Sequence, residues 1–433
     1  MKEAPSPHFA AVDDLRVGMF IHLEGGWLAH PFPLSNFKLS SPQQIATIRS
    51  LRLTRVRWSP SKSDLEPGAA DGAPPVSAAD DAAAAEAASA AAAQAEAETQ
   101  RQRRLTLAAQ REALQHCQRQ FAEATAACKT LTDLVPARPE VAREQSEALS
   151  RAFVDKMLGH GETCIRLLSE AAGDKASTHA VNVTVISLLL AKTFGLPEAD
   201  MVDLGVGSML HDIGKLELPD RLRHRDDHLT ASEALAYQEH VVHGGAHARR
   251  MGLAEGARHV IEQHHEFADG SGFPLRLTTD RMTLAARIVA LVNRYDNLCN
   301  PNIPSRALTP HEALSLLFAQ GKSKFDATIL GAFVKMMGVY PPGSAVQLTD
   351  ERYAIVVSVN SNRPLKPQVL VHDRGVAVED ALLLNLESEP QLGIRRSVKP
   401  AMLPREVHEY LSPRPRVAYF FEPAREVELE LTG

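Results

Sequence analysis

The chain has 433 residues, 44% of them hydrophobic and 23% charged, with a net charge of −6. That length predicts more than one domain and that composition supports a buried core, while the acidic balance without a basic block excludes nucleic-acid wrapping. The polar opening Met1–Ser6 predicts no signal peptide, and apolar runs such as Val185–Ala191 fall short of the ~18 residues of a membrane span. Cys117, Cys128, Cys164 and Cys299 lack any Cys-x-x-Cys spacing, so the expectation is a cytoplasmic protein with reduced thiols and no zinc knuckle.

Residues 1–65 read as a small α/β module. Val12–Leu23 alternates apolar and polar around Gly18, Ser41–Leu53 has helical spacing through Ile45, Ile48 and Leu51, and Arg55–Trp58 is a returning strand. Residues 66–98 are alanine-rich after Pro67, Gly68, Pro74 and Pro75, and read as a linker turning helical near Ala82. The connecting-helix segment is assigned to 99–138, its helical pattern running from Glu98 to Leu134 and ending before Pro136, and Glu140–Met157 opens a helical bundle that runs to residue 340.

Inside the bundle the period is 3.6. Val183, Ile186 and Leu190 share a face with His179, and Leu204 sets His211 inward one heptad on. Thr230 with Glu233 reads as a capping box ahead of His240, and Thr309-Pro310 with Glu312 opens another helix. Ala257 and Ile261 share a face with His264, and Ala286, Val289, Asn293 and Asp296 line one side of a later helix. After Tyr340-Pro341-Pro342-Gly343 the period changes: Ala345–Leu348, Tyr353–Val359 and Gln368–His372 are short strands of a β-rich appendage over 341–433. The expected fold class is therefore mainly α, with a small mixed module in front and a β-rich tail.

A single inward histidine is more often a hydrogen-bonded core residue than a ligand. The set His179, His211, Asp212, His240, His264 and His265 is a different matter, because imidazoles and one carboxylate converging from several helices are what a dinuclear metal site requires. Asp212 has two oxygens and is the natural bridge, whereas each imidazole offers one nitrogen. Lys215 lies about one helical turn beyond His211 and reads as a phosphate clamp on that face, against the plainer reading of a lysine at a helix end. Gly270 and Gly272 permit close backbone approach in the loop Asp269–Pro274. Glu266 is either an orienter of a ligand imidazole or a surface carboxylate; His243 and His247 are ordinary polar residues, and Asp226-Asp227-His228 a solvated loop.

The order of these segments resembles the HD-GYP family of the HD superfamily. The residues that carry the likeness are His179, then His211-Asp212-Ile213-Gly214-Lys215, Pro219-Asp220, Glu233, His240 and Gly244. There follow His264-His265-Glu266 with Asp269-Gly270-Ser271-Gly272-Phe273-Pro274, Ala286-Arg287-Ile288-Val289, Tyr295-Asp296 and Phe325-Asp326. The likeness covers roughly residues 145–340. It implies an HD-type helical bundle and a phosphodiesterase that opens cyclic di-GMP to pGpG, and onward to GMP, by hydroxide held between two divalent ions, iron or manganese. It implies Asp212 and Lys215 as catalytic residues and His179, His211, Asp212, His240, His264, His265 and Asn293 as metal ligands. Substrate contacts fall to Lys215, Gly270, Gly272, Phe273, Pro274 and Arg306, and the loop at 269–274 is implicated in contacts with diguanylate cyclase (GGDEF) domains. Segments around Gly18-Met19-Phe20, Gly26-Trp27-Leu28 and His30-Pro31-Phe32 resemble an uncharacterised module often found ahead of such domains.

This sequence departs from that family at several points. Phe273 replaces the name-giving tyrosine, Asn293 a carboxylate, and Asn302 and Ser305 stand where basic residues are usual, with Arg306 beside them. Lys175 replaces the glutamate of three-metal members, which favours two metals. These departures keep two alternatives open: a catalytically weak module that binds the cyclic dinucleotide or a cyclase, and an HD-superfamily hydrolase for another nucleotide.

Overall fold

The computed structural model describes residues 8–23, 32, 36–51, 53–64, 78–159, 161–168, 174–223, 229–321, 323–414 and 416–424, with side chains from 89 onward in the long helix. Gly26-Trp27-Leu28, His30-Pro31 and Asp226-Asp227-His228 lie outside the described residues. The chain divides into two compact units, 1–95 and 96–433.

The first unit is a four-stranded antiparallel sheet in the order β1-β4-β2-β3, formed by β1 (His8–Ala11), β2 (Phe20–His22), β3 (Asn36–Lys38) and β4 (Arg55–Trp58). Helix α1 (Pro42–Ser50) is capped by the Ser41 side chain and buries Ile45 and Ile48 with Ile21, Leu39 and Val56.

Helix α2 (Ala78–Leu134) is 57 residues long. Its start at Ala78 lies close to Ala82, where the alanine-rich linker is expected to turn helical, and it runs on unbroken into the connecting helix. Alanine needs no packing to favour helix, and lack of a large apolar side chain is an argument about burial only. Toward its end Cys117, Phe121, Ala124, Cys128 and Leu131 form a buried stripe at helical spacing. The bundle continues through α3 (Pro139–Gly159), α4 (Lys175–Thr193), α5 (Glu198–Leu210), the short α6 (Asp220–Arg223), α7 (Ala231–Met251), α8 (Glu255–Gln263), α9 (Leu284–Cys299), α10 (Pro310–Gln320) and α11 (Ala327–Met337). Both expected capping boxes form, at Thr230/Glu233 and Thr309/Glu312.

The β-rich tail is not self-contained. A seven-stranded antiparallel sheet contains β6 (Ala345–Leu348), β7 (Tyr353–Asn360), β8 (Gln368–Val371), β9 (Leu383–Asn385), β10 (Ile394–Ser397) and β11 (Tyr419–Pro423), and also β5 (Thr163–Leu167) from between α3 and α4. One edge of β7 pairs with β6 near its start and β5 near its end, while β8 takes the other edge. Strand β11 closes on the far side of β5, with Phe421 opposite Ile165. Tyr419, Phe420 and Phe421 then join the same core as Phe121 and Phe153. The fold is mainly α with two antiparallel sheets. Among the described residues no helix is long and apolar enough to cross a membrane, and all four cysteines are free and buried.

Candidate metal centre

Six residues from four stretches of the second unit converge. His179 comes from the second turn of α4, His211 and Asp212 directly follow α5, His240 lies within α7, and His264 and His265 directly follow α8. Asp212 stands at the centre. Its Oδ2 faces Nε2 of His179 at 3.8 Å and of His211 at 3.5 Å, while its Oδ1 faces Nε2 of His240 at 3.6 Å and of His264 at 3.7 Å. The potential ligand atoms thus form two groups sharing one carboxylate: His179, His211 and Asp212, and Asp212, His240, His264 and His265.

The far nitrogens settle the tautomers. Nδ1 donates to the backbone oxygen of Ser208 from His211 (2.7 Å), of Tyr237 from His240 (2.6 Å) and of Ile261 from His264 (2.8 Å), and from His179 to Asp296 Oδ2 (2.6 Å). Every acceptor here lacks a proton, so each Nδ1 carries one, and a neutral ring presents a bare Nε2 to Asp212. Burial pushes the imidazoles of His211 and His265 well down and that of His240 to about 3, which keeps them neutral. Two pairs of these bare nitrogens approach closely, His179 with His211 at 3.1 Å and His240 with His264 at 3.3 Å. Lone pairs at that distance repel unless a cation lies between them. Asp212 Oδ1 and His265 Nε2 are likewise buried without a hydrogen-bond partner. The donor set fits divalent metal, imidazole and carboxylate being ligands for such ions.

Lys215 is placed differently from the sequence reading. The chain leaves α-helix at Leu210 and continues as a 3₁₀ turn, Ile213–Glu217. Three residues per turn eclipse i with i+3, so Lys215 stands over Asp212 and not over His211. Its Nζ meets Asp212 Oδ2 at 2.5 Å, and both side chains are about a quarter exposed (25% and 24%). Burial opposes charge on Asp212, but the Lys215 ammonium beside it outweighs this and holds the carboxyl well below its usual range. Gly214 makes this turn possible, because a Cβ there would lie 1.9 Å from the carbonyl oxygen of His240.

Beside the cluster lies a cavity of about 500 Å³, within the range of ligand pockets. His179, His211, Asp212, Lys215, His265 and Asn293 line it, as do Cys128, Lys129, Thr132 and Asp133 of α2. A second cavity of about 220 Å³ shares Tyr237, His265, Asn293 and Asn297 with it.

Against known families, residues 162–329 match the HD domain, and residues 10–146 match a domain of unknown function, DUF3391. Residues 162–329 are an HD domain. The second match extends from the N-terminal sheet through α2. Over 366 residues, 83% of this chain and 84% of the relative, the chain is 26% identical to a Pseudomonas aeruginosa protein named cyclic di-GMP phosphodiesterase. It is 34% identical over 163 residues to a Vibrio cholerae protein named 3′3′-cGAMP-specific phosphodiesterase 2, covering 37% of this chain and 31% of that one. Among solved structures, an HDG"Y"P protein from Bdellovibrio bacteriovorus aligns with 76% of this chain and 98% of its own, at 13% identity and a TM-score of 0.43.

The remaining candidates of the HD domain fall at varying distances from the cluster. Asn293 is buried and lines both cavities, but its Oδ1 already accepts a hydrogen bond from Asn297 Nδ2 at 2.6 Å, leaving one lone pair for a metal. Phe273 stacks on the His265 ring at 4.5 Å and lines the smaller cavity. Gly272 lies so close to the backbone of His265 and Glu266 that a Cβ would meet both at 2.5 Å. Gly270 takes a positive φ, and neither it nor Pro274 lines either cavity. Arg306 is exposed in the turn Pro304–Arg306, and it is Asn302 that reaches the larger cavity. Glu266 is neither a surface carboxylate nor an orienter of an imidazole. It is fully buried and accepts from the backbone of Leu275 (2.6 Å) and Leu277 (2.9 Å), pinning the loop after the ligands.

Asp296 is the residue whose role the sequence left open. It is fully buried, with Oδ2 accepting from His179 and Oδ1 from Nδ2 of Asn182 and of Asn300, both at 2.9 Å. In this arrangement it orients the His179 ring. Asn182 and Asn300 in turn bind the backbone of Val417 and Tyr419, so the C-terminal segment braces the carboxylate behind His179.

Proposed function

We propose that the chain is a cytoplasmic, metal-dependent phosphodiesterase that opens cyclic di-GMP to linear pGpG. The observation that carries this reading is the convergence of bare Nε2 atoms and both Asp212 oxygens, with Lys215 beside them, at the wall of a cavity large enough for a ligand. Relatives that carry cyclic-dinucleotide phosphodiesterase names support it.

His179, His211 and Asp212 would hold one divalent ion and Asp212, His240, His264 and His265 a second, iron or manganese. Such ions supply Lewis acidity to a phosphodiester and its attacking water. The protein's own residues do the rest. Asp296 and the three backbone carbonyls fix the imidazoles in their ligand tautomer, so no reorganisation is needed when substrate enters. Lys215 brings positive charge to the cavity at Asp212, where it would stabilise the extra charge that develops on the phosphoryl oxygens. Addition of water breaks one P–O3′ bond, leaving one terminal phosphate and one free 3′ hydroxyl in the product.

The test is product analysis of purified protein loaded with iron or manganese, given cyclic di-GMP and 3′3′-cGAMP in separate reactions, with Asp212→Ala as the control. Linear pGpG from the wild type and none from the variant is the expected result. Tight binding of cyclic di-GMP without product from either metal form would replace this reading with a non-catalytic signalling role.

A further inference from the structure

Away from the metal centre, a cavity of about 330 Å³ lies between the middle of α2 and the face of the seven-stranded sheet formed by β5, β7 and β8. It shares no lining residue with the metal-centre cavity. Leu107 and Leu114 of α2 line it together with Ile355 and Val357 of β7, Leu370 of β8 and Leu411 at the end of α12 (Arg405–Leu411). Protein interiors are close-packed, with few voids larger than a water molecule. A space of this size with aliphatic walls offers water few hydrogen-bond partners and takes an apolar guest instead.

Side-chain ties hold the space open. Gln110 of α2 donates to the backbone oxygen of Leu383 at 3.3 Å and accepts from the Leu383 backbone N–H at 3.0 Å. Its neighbour Arg111 donates to the backbone oxygen of Glu379 and pairs with Asp380 at 3.3 Å. Gln110, Arg111, Glu379 and Leu383 all line the cavity, and collapse of its walls would break these bonds.

Among the described residues, the charged groups on the wall are Arg111, Arg166, Arg414 and Glu379, so positive charge prevails. Arg166, on β5, is the buried one, with its side chain 5% exposed. Its Nη1 donates to Glu422 Oε1 at 2.8 Å, while its Nε is buried with no hydrogen-bond partner. A guanidinium takes a carboxylate through its planar fork of N–H groups, and here the Nε side has donor capacity left over.

We propose that this cavity binds a small aliphatic carboxylate, with its chain among the leucines of α2 and the sheet and its carboxylate on the Nε side of Arg166. A single negative charge suits the site better than a phosphate does, because Glu379 on the wall and Glu422 behind Arg166 repel any further charge. The proposal does not depend on the phosphodiesterase reading. Its occupant touches the helix whose later residues, Cys128, Lys129, Thr132 and Asp133, wall the metal-centre cavity.

Calorimetric titration of the full chain with decanoate, hexanoate and decanol tests this, on the wild type and two variants. Leu107→Trp puts a larger side chain on the cavity wall from a half-buried position on α2. Arg166→Met/Glu422→Gln removes the buried pair together, so that no lone charge is left in the core. Melting curves without ligand establish that each variant is folded. Decanoate is expected to bind saturably at a single site, hexanoate more weakly by about fourfold for each methylene lost. Decanol should bind at least about tenfold more weakly than decanoate, the scale of a hydrogen bond to a charged group. Leu107→Trp should abolish decanoate binding, and the double variant should bind the acid no better than the alcohol. Lack of saturable decanoate binding to the wild type, equal affinity for acid and alcohol, or undiminished binding to Leu107→Trp each overturns the proposal. A folded double variant that still prefers the acid does so too. Should that variant fail to fold, the acid-against-alcohol comparison on the wild type decides the role of the charge.

Discussion

Replacing Asp296 by asparagine tests how the metal centre is built, because it changes one atom in a fully buried network. In the wild type Asp296 accepts from His179 Nδ1 at 2.6 Å and from Asn182 and Asn300 at 2.9 Å each. An asparagine must place its NH₂ at one of these two positions. Facing His179, it opposes the Nδ1 proton and drives the ring to the other tautomer, whose protonated Nε2 no longer binds metal. Facing Asn182 and Asn300, it leaves two buried amide donors without acceptors, at about 1–3 kcal/mol each. The second arrangement therefore destabilises the variant by about 2–6 kcal/mol, and the first leaves no donor unpaired. In the first arrangement metal affinity falls on the scale seen for outer partners of ligand histidines, about 10–100-fold. Competition against a chelator of known affinity, with thermal melting of the metal-free protein alongside, separates the two arrangements. Unchanged metal affinity together with an unchanged melting temperature would refute the network as described.

Lys215→Ala should keep its metals and lose about 10²–10³ in turnover, the cost of one charge-stabilising donor; metal analysis with steady-state kinetics checks this, and unchanged kinetics would return Lys215 to a structural role. Asn293→Asp should strengthen metal retention against a chelator on the order of tenfold or more, given that even outer partners of ligands move affinity by 10–100-fold. No change there would remove Asn293 from the ligand set. Gly214→Ala forces a Cβ to within 1.9 Å of the His240 oxygen and should cost about 1–3 kcal/mol or more by overpacking, with His240 displaced and metal lost. A variant that melts like the wild type and keeps its metal would contradict that packing.

Much of the bundle was legible because helical period is a local signal. Val183, Ile186 and Leu190 fixed the inward phase of His179, and Leu204 that of His211, with no reference to any partner. The three C-terminal strands read from alternation also form: β6 runs over Ala345–Leu348, β7 over Tyr353–Asn360 and β8 over Gln368–Val371. What failed was non-local. Thr163–Leu167 is buried at every position, so it shows no alternation, and its partners, β7 and β11, lie far along the chain. A central strand of that kind is invisible to periodicity. Lys215 was misplaced for a different reason: the period itself changes from 3.6 to three after Leu210, which moves a side chain from one neighbour to the next.

The residues that converge at the site were legible, and the groups that orient them were not. A histidine at an inward helical phase is visible in sequence, whereas the carbonyl that fixes its tautomer belongs to a backbone every residue has. Asn182 and Asn300 illustrate the limit. Each is an isolated amide in an apolar stretch, and each matters because it bridges Asp296 to Val417, more than a hundred residues away in sequence (|i−j| of 235 and 117). That bridge ties the β-rich tail to the site. Strand β11 enters the main core through Tyr419, Phe420 and Phe421, and the segment beginning at Val417 holds the amides that hold Asp296, which holds His179. A chain shortened before Val417 would keep every metal ligand in its sequence. It would lack the acceptors and donors that keep Asn182 and Asn300 in place, and with them the orientation of one ligand imidazole.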